Sequence, residues 1–124
     1  MDIYWCCFFV LLLLVLIITS YDNDTKIKKI AFISIESQYN NEKTNLDRLY
    51  TKEFIEKISN DKMFYKRNLG PYKILNIYTI KKNIMKGDYS IGVRISDRRG
   101  EYIQVMHIKK TNNSFYIFDI EYDI

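Results

Sequence analysis

Residues 103–122 read IQVMHIKKTNNSFYIFDIEY, two runs rich in apolar residues that are joined by the polar residues Thr111 to Ser114. Asparagine tolerates the positive φ angles that a two-residue hairpin loop requires. With Asn112 and Asn113 as that loop, Thr111 lies opposite Ser114 and the pairing continues along both runs. The predicted partners match in polarity, which supports the register. They are Ile108 with Ile117, Val105 with Ile120, and Ile103 with Tyr122.

Two further strands are expected before this hairpin. Residues 89–96 alternate between apolar residues and polar or small residues, which is typical of a strand with one buried face. The face expected to be buried carries Tyr89, Ile91, Val93 and Ile95. Residues 74–80 form the other strand, and turn residues at 86–88 and 97–100 separate the strands. The sequence therefore predicts a four-stranded antiparallel meander.

Two helices are expected before the sheet. Residues 24–39 place apolar side chains on one helical face, and Asp24 or Thr25 is a suitable N-cap. Residues 45–58 follow the spacing of an amphipathic helix, with Asn45 as its N-cap. The predicted fold class is α+β, an N-terminal membrane helix followed by two helices packed on a curved four-stranded antiparallel sheet.

The chain begins with an apolar segment. Residues 3–20 read IYWCCFFVLLLLVLIITS and carry no charge. A spanning helix needs about 20 apolar residues, and about 17 suffice, so the length fits a retained anchor or a cleaved signal peptide. Tyr4, Trp5 and Tyr21 are typical of membrane interfaces. No basic residue precedes the run and its end matches a cleavage site poorly, so a retained anchor is favoured.

We therefore expect a signal anchor or transmembrane helix at residues 1–21 and a folded domain at residues 22–124. The membrane is one partner, through residues 3–21. The basic residues nearest the span are Lys26, Lys28 and Lys29. By the positive-inside rule they favour a cytoplasmic domain, whereas long domains translocate largely regardless of such charges. We expect the domain on the extracytoplasmic side, or in the medium if the segment is cleaved.

Composition excludes several classes of site. Both cysteines, Cys6 and Cys7, lie in the apolar segment, so the domain has no disulfide, no cysteine-ligated zinc and no cysteine nucleophile. The formal net charge is only +4, and the basic residues are spread over expected strand ends and turns. This is not the basic face of a nucleic-acid-binding protein. No phosphate-binding loop, nucleophile elbow or zinc-protease motif occurs, and we predict no catalytic residue and no cofactor.

Two segments resemble the nuclear-transport-factor-2-like superfamily, whose cone-shaped fold is shared with ketosteroid isomerases. Residues 45–54, NLDRLYTKEF, look like the second helix of that family, and residues 114–123, SFYIFDIEYD, look like its closing strand. The resemblance spans residues 24–124. Within the superfamily, the chain resembles small membrane-anchored or secreted bacterial proteins. The resemblance also extends to the anchored assembly subunits of type IV secretion and conjugation systems.

The resemblance implies a pocket between the helices and the curved sheet. Tyr50, Tyr65 and Asp119 are the residues expected to approach it. No residue carries over as catalytic, and tyrosine on an apolar helix face more often packs in a core.

Metal ligands are few. His107 is the single histidine, and in the predicted register it faces Phe118 and packs there at the surface. Asp119, Glu121 and Asp123 line one strand face and could offer oxygen ligands, but no calcium loop surrounds them. We interpret this face as solvated and predict no metal site.

These features favour a non-enzymatic, membrane-anchored extracytoplasmic domain that binds a protein partner or a ligand. One alternative is a small pocket enzyme or a carrier of a small apolar ligand. Another is an assembly subunit of a secretion or conjugation machine.

Overall fold

The computed structural model describes residues 3–61, 64–66 and 69–123, and it has the α+β architecture expected from the sequence. The helices are α1 Ile3–Asn40, α2 Leu46–Leu49 and α3 Lys52–Ser59. The strands are β1 Lys73–Asn83, β2 Asp88–Asp97, β3 Gly100–Thr111 and β4 Ser114–Asp123. The sheet order is β1-β2-β3-β4 and every pair is antiparallel, which confirms the predicted meander.

The apolar segment and the first expected domain helix are one continuous helix. α1 has 38 residues, so it extends about 57 Å at about 1.5 Å per residue. The prediction that a helix begins at Asp24 or Thr25 is wrong. The Thr25 hydroxyl instead donates to the carbonyl of Tyr21, 3.0 Å away, within the helix. No glycine or proline occurs between Ile3 and Asn40, so no helix-breaking residue separates the apolar segment from the rest of the helix.

The two halves of α1 have different surroundings. Side chains of the apolar half are exposed, whereas the second half carries a buried stripe that faces the sheet. That stripe consists of Asn23, Ile27, Ala31, Ser34, Ile35, Ser37, Gln38 and Tyr39. The spacing of three and four residues is that of one helix face, so half of α1 belongs to the core of the domain.

The second expected helix is interrupted at Tyr50. α2 ends at Leu49, Tyr50 is extended (φ −126°, ψ 154°), and it forms a parallel bridge with Ile117 of β4. The Thr51 hydroxyl then caps α3 by accepting from the Phe54 amide at 3.3 Å. Asn45, the expected N-cap, makes no side-chain capping bond. The helix prediction is therefore wrong at Tyr50, because pairing with β4 there outweighs helix continuity.

The faces of β2 agree with the sequence pattern, whereas register shifts at Leu75 and Ile80 interrupt the alternation predicted for β1. The β2 face predicted to be buried is 0–2% exposed and packs against the helices. On the other face of the sheet the ring of Tyr78 lies across Gly92, where a side chain would collide with it. The turns at 86–88 and 97–100 contain Gly87 and Gly100 with φ of 68° and 117°, so glycine is needed at both.

The last hairpin keeps its predicted register only near the loop. Thr111 pairs with Ser114 and Ile108 with Ile117, as expected, and Asn112 and Asn113 have φ of 50° and 64°. A bulge follows, in which Phe118 is the extra residue on β4.

The bulge changes every later pair. His107 faces Asp119, Met106 faces Ile120, Val105 faces Glu121 and Gln104 faces Tyr122. The predicted pairs of His107 with Phe118, Val105 with Ile120 and Ile103 with Tyr122 are therefore wrong. Strict alternation from the buried Ile117 would turn Asp119 into the core. The extra residue turns Ile120 inward, where it is 8% exposed, and moves Asp119 to the outer face.

The division of α1 predicts the effects of two similar truncations. Ile35 is 0% exposed at the interface with the sheet, and Ile35→Ala should lower the free energy of unfolding by about 2–5 kcal/mol. Leu13 is 57% exposed in the apolar half, and Leu13→Ala, the matched control, should change it by less than about 0.5 kcal/mol. Urea unfolding of the full chain in nonionic micelles, followed by near-ultraviolet circular dichroism, measures both. Equal losses would contradict the division.

Candidate functional site

The space between the helices and the sheet is filled by aromatic side chains. Tyr50 packs against Phe54 and Phe64 with ring centroids 5.3 and 5.8 Å apart, and Phe54 and Phe64 are 6.1 Å apart. Tyr50 and Phe64 are 2% and 1% exposed. The region where the family resemblance implies a pocket is therefore occupied by packed rings.

The three residues expected to line a pocket occupy different places. Tyr50 is buried, and Tyr65 is half-buried beside Phe64, with ring centroids 5.0 Å apart. Asp119 lies on the outer face of the sheet, where its carboxylate is 3.3 Å from the Lys57 ammonium. Tyr50 and Tyr65 are thus near one another around Phe64, whereas Asp119 does not join them.

A buried hydrogen-bond network joins α1 to the sheet. The hydroxyls of Ser34 and Tyr50 are 2.5 Å apart, and the Gln38 amide donates to Ser34 at 3.3 Å. Gln38 and Gln104 bond each other reciprocally, at 3.0 and 2.8 Å, and Gln104 also donates to the Tyr102 hydroxyl at 3.0 Å. Gln38, Gln104 and Ser34 are all 0% exposed. A buried amide without partners is costly, so this mutual satisfaction fixes how α1 sits on β3.

The network continues to the turn between β2 and β3. The hydroxyls of Tyr102 and Tyr39 are 2.8 Å apart, and Tyr39 donates to Asp97 at 2.5 Å. Asp97 also accepts from the backbone amide of Arg99 at 2.8 Å and from its guanidinium at 3.3 Å. The chain of bonds therefore runs from α1 to a charged pair at the end of the sheet.

Burial and these bonds shift the acidities of the cluster. Burial alone would raise the pKa of Asp97, but hydrogen bonds from Tyr39 and Arg99 outweigh it and hold the pKa below its ordinary value. Burial, reinforced by the bond to Asp97, raises the pKa of Tyr39 far above its ordinary value. Burial also raises the pKa of Tyr102. The groups are thus held as one carboxylate and two neutral phenols, an arrangement that stabilises structure and supplies no general base near neutral pH.

Lys66 lies beside this cluster. It is 5% exposed, its ammonium is 4.7 Å from the ring centroid of Tyr122, and its backbone amide donates to the Gln38 carbonyl at 2.8 Å. Burial, helped by the nearby Arg99 charge, lowers the pKa of Lys66. The aromatic faces stabilise the ammonium where water is excluded.

A second polar cluster lies on the outer face of the sheet. The Ser90 hydroxyl is 3.0 Å from His107 Nδ1, and Glu121 Oε2 is 3.6 Å from His107 Nε2. His107, Asp119 and Glu121 each bring one ligand atom within 4.8 Å of the others. The predicted register contains no bulge, so it pairs His107 with Phe118 and does not bring Asp119 and Glu121 close to it. The sequence did contain a signal for the bulge, because strict alternation along β4 would have buried Asp119.

The chemistry open to this outer cluster is limited. A hydroxyl, an imidazole and a carboxylate in a row suggest a nucleophilic triad, but Ser90 lies on a strand paired on both sides. Its neighbouring amides are thus taken up by the sheet and cannot form an oxyanion hole. One imidazole and two carboxylates are also a donor set for a divalent cation. Asp119 is already paired with Lys57, so a cation would have to displace that ammonium. The absence of a metal stays a prediction.

Comparison of the chain with protein-family models, with curated proteins and with solved structures finds no match in any of the three.

The paired glutamines predict a non-additive effect. Gln104→Leu leaves the Gln38 amide buried without its main partner, and the free energy of unfolding should fall by about 1–3 kcal/mol. Gln38→Leu should behave similarly. The double variant removes both polar groups together, so its loss should be smaller than the sum of the single losses. Urea unfolding of the four proteins in nonionic micelles measures the coupling, and strict additivity would contradict the pairing.

The pKa shifts predict loss of stability at both extremes of pH. Asp97 has a lowered pKa in the folded state, so its contribution is present above the unfolded pKa of about 4 and is lost as the pH falls further. Tyr39 has a raised pKa, so its contribution is present below about pH 10 and is lost as the pH rises. Asp97→Asn should therefore lower the free energy of unfolding at pH 7 and flatten the acid limb, which is the fall in stability at low pH. Urea unfolding midpoints measured as a function of pH would show both effects. An acid limb as steep as in the wild type would contradict this role.

Proposed function

We propose that this protein is a non-enzymatic interaction domain that α1 anchors in a membrane and holds in a fixed orientation at the membrane surface. The observation that carries the proposal is the continuity of α1, which passes from an exposed apolar half into the core of the domain without a linker.

The apolar half of α1 has the properties of a membrane span. It is long and apolar enough to cross a bilayer, and none of its apolar window is buried within the protein. Residues 3–20 rise about 27 Å as a helix, close to the roughly 30 Å of a hydrocarbon core. Soluble domains rarely expose so large a continuous apolar surface. Lipid is therefore the environment that best covers it.

The junction between span and domain is tied to the sheet, which favours retention over cleavage. The Lys82 ammonium donates to the Ser20 hydroxyl at 2.6 Å and lies 2.9 Å from the Asp24 carboxylate. A signal peptidase cutting near Tyr21 would have to act within a helical turn packed on β1. The same contacts stop the domain from swinging on the anchor.

The interior supports binding through the surface of the domain rather than catalysis. A pocket enzyme or a carrier of a small apolar ligand needs a cavity of at least about 300 Å³. Tyr50, Phe54 and Phe64 fill the space where such a cavity would lie, and the buried polar groups there bond one another. An assembly subunit of a secretion or conjugation machine remains a more specific version of the proposed role. We place the domain on the extracytoplasmic side, as a domain of this length translocates largely regardless of flanking lysines.

An arginine scan along α1 tests the anchor. Leu13→Arg places a charge near the middle of the span, where insertion scales assign a cost of about 2.5–3.5 kcal/mol, and it should impair membrane integration. Phe32→Arg is the matched control, since Phe32 is 42% exposed on the domain half of the same helix. Resistance to extraction by alkaline carbonate measures integration in cells. Equal resistance of both variants would contradict the assignment of the span.

Three measurements on the native protein complete the test. N-terminal sequencing should find the apolar segment retained, and a start at Tyr21 or Asp22 would show a cleaved signal. Protease added to intact cells should digest the domain if it is extracytoplasmic, and protection would place it in the cytoplasm. Cross-linking in intact membranes should capture a protein partner, whereas a turnover activity without one would overturn the non-enzymatic role.

A further inference from the structure

We propose that the turn between β1 and β2 is a second membrane contact, in which Ile84 and Met85 enter the interface of an anionic bilayer beside α1. The inference rests on the proposed anchor and adds a lipid-binding surface to it.

The turn lies at the end of the domain nearest the span. β1 runs antiparallel to the second half of α1: Tyr72, just before β1, stacks on Tyr39 with centroids 4.3 Å apart. At the other end of β1, Lys82 reaches Ser20 at 2.6 Å. Ser20 belongs to the last turn of the apolar segment. The chain then continues past Lys82 in the same direction, so Ile84 and Met85 extend to the level where the span leaves the bilayer.

The turn presents its apolar side chains to the outside. Met85 is 99% exposed and Ile84 is 58% exposed, whereas the apolar residues of β2 on the sheet face are buried. The backbone around them is held by defined bonds. The Lys86 amide donates to the Asn83 side chain at 3.2 Å, and the Lys110 amide donates to the Gly87 carbonyl at 2.8 Å. Two adjacent large apolar side chains held outward on an ordered turn form an apolar patch that contact with lipid would cover.

Lysines surround the turn. Lys81 and Lys86 flank it in sequence, and β3 brings Lys109 opposite Asp88 and Lys110 against Gly87. All four lysines are exposed. Apolar side chains inserted between lysines that remain at headgroup level are the pattern of a membrane-surface contact. Anionic lipid phosphates are the matching charge, and the lysines extend the basic flank that begins at Lys26 on α1. The bilayer that holds the span is also the surface nearest to the turn. We therefore assign lipid as the partner of the turn.

Tryptophan fluorescence in vesicles tests the contact and the anchor separately. Trp5 is the single tryptophan of the chain and reports insertion of α1 itself. In a W5F background, M85W places the probe in the turn. W5F/R98W, the matched control, places it in the exposed turn between β2 and β3 at the opposite end of the sheet. The full-length proteins are reconstituted in phosphatidylcholine vesicles containing phosphatidylglycerol, with and without lipids brominated on the acyl chains.

We expect bromolipid to quench M85W emission roughly twofold or more and to shift its maximum to shorter wavelength, as for interfacial tryptophan, while R98W is unaffected. If Trp5 of the wild-type protein is quenched but M85W and R98W are both negligibly quenched, the inference is overturned and the anchor stands. An unquenched Trp5 would overturn the anchor and the inference with it.

Three further variants and a change of lipid composition keep the test decisive. If M85W fails to fold by near-ultraviolet circular dichroism, W5F/I84W gives the same reading from the adjacent residue. Vesicles without phosphatidylglycerol should reduce the quenching at position 85, as should the charge reversals K81E and K86E. Quenching that is independent of lipid charge and of both lysines would overturn the part of the inference that assigns anionic lipid.

Discussion

Two glutamine side chains, one on α1 and one on β3, hold each other in the centre of this domain. Gln38 and Gln104 each donate to the other and are fully buried. An apolar interface tolerates small rotations and slides of a helix, since many packings bury similar area. A reciprocal amide pair tolerates few, because any other register leaves a donor or an acceptor without a partner. The rotation of α1 about its own axis is therefore set at this contact.

The rest of the domain follows from that setting. With Gln38 fixed on β3, Ser34 meets the Tyr50 hydroxyl one turn earlier, and Tyr39 meets Tyr102 and Asp97 next to it. The pairing of Tyr50 with Ile117 in turn separates α2 from α3. The same rotation is consistent with the contact of Ser20 with Lys82, which lies near the end of β1 closest to the apolar half of α1.

The parts of the fold that the sequence predicted are those with local signals. The β2 face and the turn at Asn112 and Asn113 follow from period-two alternation and from residues that tolerate positive φ. The break at Tyr50 has only one local signal, the capping residue Thr51, since Leu49, Tyr50 and Phe54 keep helical spacing and pairing with β4 separates them. The bulge at Phe118 is intermediate. It is recoverable by asking which register keeps Asp119 out of the core, a question about tertiary burial rather than local pattern. The buried network left a trace in Ser34 and Gln38, polar residues four apart on the buried face of α1, but no local pattern identifies its partners on β3.

If the apolar half of α1 spans a bilayer, as we propose, the uninterrupted helix couples any tilt of that span to the orientation of the domain. A spanning segment adapts to a thicker or thinner bilayer by changing its tilt. A hinge would absorb that rotation, but α1 has neither glycine nor proline, and its junction is clamped by Lys82. A tilt of about 10° would carry the far end of the roughly 30 Å domain half by about 5 Å. A change in bilayer thickness would thus change the height of the sheet above the membrane surface and its angle to that surface.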